Sequence, residues 1–229
     1  MPTRIFLISP YSLFLEGLRG LLQASPETFV VTGTGLSVAA ADPALIGQAD
    51  VLFVDLSDRA DAAGVLAGAQ EARACCQAPL VLMVDGDRLR MSAALIADVG
   101  ASVVSRYISA EALLELIRGL PAGGVVAGAA GPGPVVDERR RHLRIPVHTP
   151  VRIGSVTGEI KDISATGMYI QTQYALDRGI GDAITLEVEF HGAEGPSILI
   201  CEGSVVRKIV IGQMTGVAIA VSASYPPGG

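Results

Sequence analysis

The spacing of apolar and polar positions changes once along the chain, between residues 120 and 137. Before the change, short and almost wholly apolar runs alternate with segments of helical period. Residues 4–9 (RIFLIS), 29–32, 51–55, 79–84 and 102–105 read as strands, the apolar ones as strands buried on both faces. Between them, residues 13–24 carry Leu13, Phe14, Gly17, Leu18, Leu21 and Leu22 on one helical stripe. Residues 38–46 suit a short helix, 60–76 an alanine-rich one, 88–99 a fourth and 109–118 an amphipathic last one with Ser109 as N-cap. Five strand–helix alternations predict an α/β domain with a doubly wound parallel sheet.

After the change the period is two. Residues 147–155, 158–163, 168–172, 183–190, 198–207 and 216–221 alternate or nearly so. Ile184, Leu186, Val188 and Phe190 share one face, as do Val217, Ile219 and Val221. Glycine-containing turns at 177–182 and 191–196 separate them. Six short antiparallel strands favour a small closed β-barrel, which leaves no open edge. The two parts are joined by PAGGVVAGAAGPGPVV, residues 121–136, whose reach as a Gly-rich coil is about 20–25 Å. The expected domains are therefore 1–120 and 137–225 around that linker.

Composition narrows the function. The chain has 229 residues and a net charge of −6; residues 1–136 carry −5 and residues 137–229 carry −1. Such acidity is a poor match to DNA, where neutralising phosphates supplies much of the affinity. The longest uncharged stretch, 119–136, is mostly Gly, Ala and Pro, and no membrane span is expected. With no signal-peptide pattern the expected location is cytoplasmic. Cys75, Cys76 and Cys201 have neither metal nor disulfide spacing, and all three are expected to be buried. No catalytic set lies at workable spacing and no Lys-Ser/Thr follows the glycines, so neither an enzyme nor a metal site is expected.

The chemistry gathers in residues 137–167, DERRRHLRIPVHTPVRIGSVTGEIKDISATG. Arg139, Arg140, Arg141 and Arg144 crowd into six positions. Arg140 and Arg144, four apart, point to one side of an extended arm at about 13 Å. They offer two planar cationic forks to a ligand with two anionic groups or two purine rings. Asp162 and Ser164 share a strand face, an acceptor beside a hydroxyl that can donate and accept, and Gly167 permits a tight turn or a close approach of backbone to ligand. Guanine answers this set: its O6/N7 edge takes a bidentate arginine, and its imino and amino hydrogens need an acceptor such as Asp162.

Arg140-x-x-x-Arg144 followed by Asp162-x-Ser164-x-x-Gly167 resembles the two-part signature of PilZ domains, receptors for cyclic di-GMP. The resemblance spans about residues 137–221. It implies a six-stranded barrel with Arg140 and Arg144 on phosphate and guanine, Asp162 and Ser164 on a guanine edge, and Gly167 at the turn. Arg139, preceding the motif, resembles the arginine with which some relatives clasp an intercalated nucleotide dimer. The solvated alternative, a basic run that positions a linker, remains open at this point.

Residues 3–119, best in SLFLEGLRGLL (12–22) and ADVLFVD (49–55), resemble the receiver domain of response regulators. Asp55 stands at the phospho-acceptor position. The metal-binding acidic pair is replaced by Ser9 and Pro10, the switch hydroxyl by Val84, and the lysine by Arg106. Asp55 with Asp58 or Asp85 is a thin ligand set for Mg²⁺, which demands several oxygen ligands. The resemblance thus implies a degenerate receiver that works without phosphorylation as a docking or dimerisation surface.

Together these imply a bacterial cyclic di-GMP effector in motility, biofilm or polysaccharide control. A protein partner, or a second copy of the chain, would meet the receiver-like part or the barrel. An adaptor that ignores nucleotides and a response regulator acting through Asp55 are the alternatives. Leu143 and Ile145 are expected to bury little surface, so nucleotide would order residues 137–146 and fix the domain arrangement.

Overall fold

The computed structural model describes residues 1–85, 99–120, 143–192 and 195–228. The helix expected at 88–99, the linker 121–136 and the arginines Arg139 and Arg140 lie outside these, except for Val99.

A five-stranded parallel sheet has the order β2-β1-β3-β4-β5, with β1 Thr3–Ile8, β2 Phe29–Gly35, β3 Val51–Asp55, β4 Leu80–Val84 and β5 Ala101–Ser105. Helices α1 Ser12–Gln23, α2 Pro43–Ile46, α3 Ala62–Cys75 and α4 Ala110–Gly119 alternate with the strands. The central strands β3 and β4 are buried at every residue, as unbroken VLFVD and LVLMV runs require. Each of α2, α3 and α4 opens on a side-chain cap: Asp42 accepts from the Ala44 N–H, Asp61 from Gly64 and Ser109 from Ala112.

The helix expected over 38–46 is reduced to four residues. Pro43 lacks an N–H and disfavours helical geometry at the residue before it, so Asp42 is extended (φ −72°, ψ 115°) and the helix starts only at Pro43. Arg73, in the last turn of α3, donates to the carbonyls of Cys76, Ala78, Val99 and Gly100, tying the helix end to the entries of β4 and β5.

The second sheet is a closed barrel of order β10-β11-β8-β7-β6-β9, built from β6 Ile145–Ile153, β7 Val156–Ser164, β8 Gly167–Thr172, β9 Ala183–Gly192, β10 Gly195–Ile211 and β11 Met214–Tyr225. Its described pairs are antiparallel, as the period of two predicts. Inward residues of all six strands, among them Ile160, Ile163, Ile170, Leu186, Val188, Cys201, Val205 and Val217, form one core. The hairpin β10–β11 is longer than alternation suggested, because Val206 to Ile211 are apolar on both faces except at Arg207 and Lys208.

By compactness the chain divides into Met1–Pro10 with Leu22–Leu143, and Tyr11–Leu21 with Arg144–Gly229. Most of α1 thus groups with the barrel, not with residues 1–120 as the composition break suggested. Within that second unit Leu13 joins the barrel core, and Gly17 lies 3.6 Å (from an ideal Cβ) from Ile145 Cδ1 and from Ile163.

Candidate nucleotide site on the barrel

The end of β7 and the start of β6 carry the site. Ile145 pairs with Ile163 and Pro146 with Asp162, and both isoleucines are fully buried. That burial sets the faces: Asp162, next to Ile163, turns outward, while Ser164 on its other side shares that face but is itself covered. A register shift between Ile160 and Asp162, and another between Pro146 and Thr149, bend the ladder here. Such bulges re-aim side chains next to binding sites.

Arg144, just ahead of β6, reaches back to Asp162, its Nη1 donating to Oδ1 at 2.5 Å. The structure therefore brings together two of the residues picked from the motif, one from each half. The Ser164 hydroxyl is buried and donates to the Gly167 carbonyl at 3.1 Å, closing the two-residue turn Ala165–Thr166. That bond uses the hydroxyl proton and leaves the oxygen as an acceptor. Gly167 has an ordinary φ; what it needs is room, since a Cβ there would stand 2.3 Å from the Ile219 carbonyl oxygen. This room is needed for the pairing with β11, a use that the sequence reading did not name.

Leu143 and Ile145 are 3% and 0% exposed. This corrects the expectation that they bury little: the Leu143 N–H donates to the Arg106 carbonyl, and Ile145 packs in the barrel. The positions of Arg139, Arg140 and His142 lie outside the described residues.

Two residues on the same outer face escaped the sequence reading. Tyr169 pairs with Asp162 on one side and Ala218 on the other, and Ala218 pairs with Arg207. The Arg207 guanidinium carbon stands 5.9 Å from the Tyr169 ring centroid. The signal was present as outward positions on two predicted strands, but only the strand order β10-β11-β8-β7 makes them neighbours.

A cavity of about 830 Å³ lies at the far end of the β6–β7 hairpin, lined by Arg152, Gly154, Leu176, Arg178 and Glu202 among others. None of the described motif residues borders it. Among the described residues no cluster of metal-ligating side chains occurs, and no helix is long and apolar enough to cross a membrane.

In the parallel sheet the expected acceptor Asp55 is 3% exposed. Ser9 Oγ donates to Oδ2 at 2.8 Å and the Ser57 N–H to Oδ1 at 3.0 Å, so both oxygens are held. Burial raises its pKa against these hydrogen bonds. Asp85 is engaged by Arg106 Nη1 at 3.3 Å and the Tyr107 hydroxyl at 3.1 Å. Asp58 lies by Arg59 at 3.8 Å. Val84 is fully buried, and Cys75, unlike Cys76 and Cys201, is exposed, which corrects its expected burial. It is the last residue of α3, beyond the stripe Val65, Gly68, Ala69 and Ala72 that faces the sheet.

No curated protein matches the chain. Solved structures with similarity include the inhibitor of motility MotI/DgrA of Bacillus subtilis, at 19% identity and a TM-score of 0.34 over 38% of this chain and 44% of that one. The chain thus spans less than half the length of that protein. The isolated REC domain of RcsB from Salmonella enterica serovar Typhimurium shows 18% identity and a TM-score of 0.37, over 52% of this chain and 91% of that one. The RcsB response regulator of Salmonella typhimurium gives 16% and 0.37, over 50% and 57%. Residues 138–223 match the PilZ domain family, and this span holds the arginine segment, the Asp162–Gly167 turn and the barrel strands. The C-terminal part of this chain is a PilZ domain, a member of a family that binds cyclic di-GMP.

Proposed function

We propose that the chain is a cyclic di-GMP effector, a regulatory protein and not an enzyme. In this reading Arg140 and Arg144 hold phosphate and guanine, Arg139 assists, and Asp162 accepts from the guanine imino and amino groups. Ser164 and Gly167 hold the turn that presents Asp162. The observation that carries it is the Arg144–Asp162 pair: a cationic fork and a carboxylate on one outer barrel face, at 42% and 26% side-chain exposure. An exposed pair of this kind adds little stability, about 0–1 kcal/mol, so a ligand can part it at small cost.

Leu143 and Ile145 are already packed, so these two take no part in the ordering expected of residues 137–146 on binding. The receiver-like sheet would work without phosphorylation, as a surface for a protein partner or a second copy of the chain. Asp55, buried with both oxygens engaged, supports that reading. The setting is bacterial second-messenger signalling in the cytoplasm, with motility, biofilm or polysaccharide as the regulated process.

Calorimetric titration with cyclic di-GMP tests the site. The wild-type chain binds; the Arg140→Ala, Arg144→Ala double variant does not. Equal binding by both would overturn the assignment. Incubation with acetyl phosphate and Mg²⁺ should leave the mass unchanged; a phosphoryl adduct lost in Asp55→Asn would restore the response-regulator reading.

A further inference from the structure

One cross-strand row joins Asp162 to a cation on the far side of the barrel face. Asp162 stands opposite Tyr169, Tyr169 opposite Ala218, and Ala218 opposite Arg207. Residues paired directly in a ladder share a face. The interleaved Ile163, Met168, Ile170, Val217 and Ile219 are buried, so this row looks outward. With strands about 4.8 Å apart, three spacings put Arg207 about 14 Å from Asp162 along the backbone.

Tyr169 has a seat on this face. A Cβ on Gly216 would stand 2.1 Å from the Tyr169 hydroxyl oxygen and 2.9 Å from Cζ, so the ring occupies the space that the glycine leaves. It extends across β11 toward β10, where the Arg207 guanidinium lies 5.9 Å from the ring centroid. Among the described residues no carboxylate pairs with Arg207, and no protein acceptor takes its N–H groups. The Arg207 guanidinium is exposed beside a seated aromatic ring, in register with Asp162, and is engaged by no described carboxylate, so its fork is open to a ligand. It is suited to a planar ring with acceptors on its edge.

We infer that the nucleotide surface continues along this row, with Tyr169 and Arg207 as a wall for the second purine of the ligand. The inference rests on the cyclic di-GMP reading above and names what that reading leaves open. Arg144 and Asp162 account for one end of a two-purine ligand. The other base stacks on Tyr169, and the Arg207 fork donates to its O6 and N7. Adenine carries an amino donor where guanine carries O6, so the same fork rejects it. Arg207 is then a specificity-determining residue.

The test titrates the full chain with cyclic di-GMP and with cyclic di-AMP, for the wild type, Arg207→Ala, Arg207→Lys, Tyr169→Leu and Gly216→Val. Thermal melting of each variant establishes that it is folded. Arg207→Ala should weaken cyclic di-GMP binding about tenfold or more and shrink the preference over cyclic di-AMP. Arg207→Lys keeps the charge without the fork, so it recovers affinity but not preference. Tyr169→Leu, and Gly216→Val by pushing the ring aside, should weaken both dinucleotides alike. Wild-type binding that is unchanged in affinity and preference by Arg207→Ala and Tyr169→Leu would overturn the wall while leaving the site at Arg144 and Asp162 standing. A wild type that fails to bind cyclic di-GMP while folded would overturn both.

Discussion

Arg144 and Asp162, eighteen residues apart, meet at 2.5 Å across the start of β6 and the end of β7. The two form an ion pair on the outer barrel face, and in the proposed function each of them contacts the nucleotide. A ligand that brings phosphate to Arg144 and ring N–H groups to Asp162 replaces one charge-assisted contact with several.

Removing Asp162 should separate stability from binding. Asp162→Ala leaves an exposed arginine that water can solvate, so unfolding free energy changes by about 0–1 kcal/mol. Affinity for cyclic di-GMP should fall about tenfold or more, since a hydrogen bond to a charged group is worth roughly 1.5–3 kcal/mol. Urea denaturation and calorimetry on the same preparation check the two halves. Large destabilisation with unchanged affinity would make Asp162 a structural residue.

Gly167→Ala should damage the barrel. The new methyl would meet the Ile219 carbonyl, a backbone group unable to swing aside, at 2.3 Å. Overpacking of this kind costs roughly 1–3 kcal/mol. Gly203→Ala, with a Cβ 2.2 Å from the Ala220 carbonyl oxygen, should cost a similar amount. Denaturation midpoints compare them; a neutral Gly167→Ala would show that β8 and β11 are not so close.

Asp55 predicts a pH dependence of stability. Its folded pKa lies above the ordinary value of 3.8, chiefly because burial disfavours the charged form. The folded state then holds the proton more tightly than the unfolded one, and this advantage is complete below pH 3.8 and lost as pH rises through the folded value. Asn keeps an acceptor for the Ser57 N–H, its amide can donate to Ser9, and it carries no charge to bury. Asp55→Asn should match the wild type in acid and become relatively more stable toward neutral pH. Unfolding curves at several pH values test this; a variant less stable than wild type at neutral pH contradicts it.

The cysteines should differ in reactivity. Cys75 is exposed, whereas Cys76 and Cys201 are buried and burial pushes the Cys201 thiol up to about 12. A thiol reagent at neutral pH should modify Cys75 in the native chain, and all three only after denaturation. Rapid native labelling of Cys201 would mean that the barrel opens.

The layout of both sheets was legible because burial writes itself in period. VLFVD and LVLMV could only be strands covered on both faces, and ITLEVEF only a strand covered on one. The motif residues were legible as types at a spacing. Three things were not. Pro43 trimmed α2 through a backbone clash that apolar spacing does not record. The grouping of α1 with the barrel depends on which side of a doubly apolar helix finds a partner, and Leu13 and Gly17 look like any other stripe residues. Tyr169 and Arg207 sit 38 positions apart and become neighbours only once β11 lies between their strands.

The central claim is that cyclic di-GMP binds at the Arg144–Asp162 end of the barrel. Titrating the ¹⁵N-labelled chain with the nucleotide tests it residue by residue. The amides of Ile145, Asp162, Ser164 and Gly167 should shift saturably, while those of Gly154, Ser155 and Val156, at the other end of the β6–β7 hairpin, stay in place. Saturable shifts confined to Gly154–Val156, or none anywhere, would contradict the account.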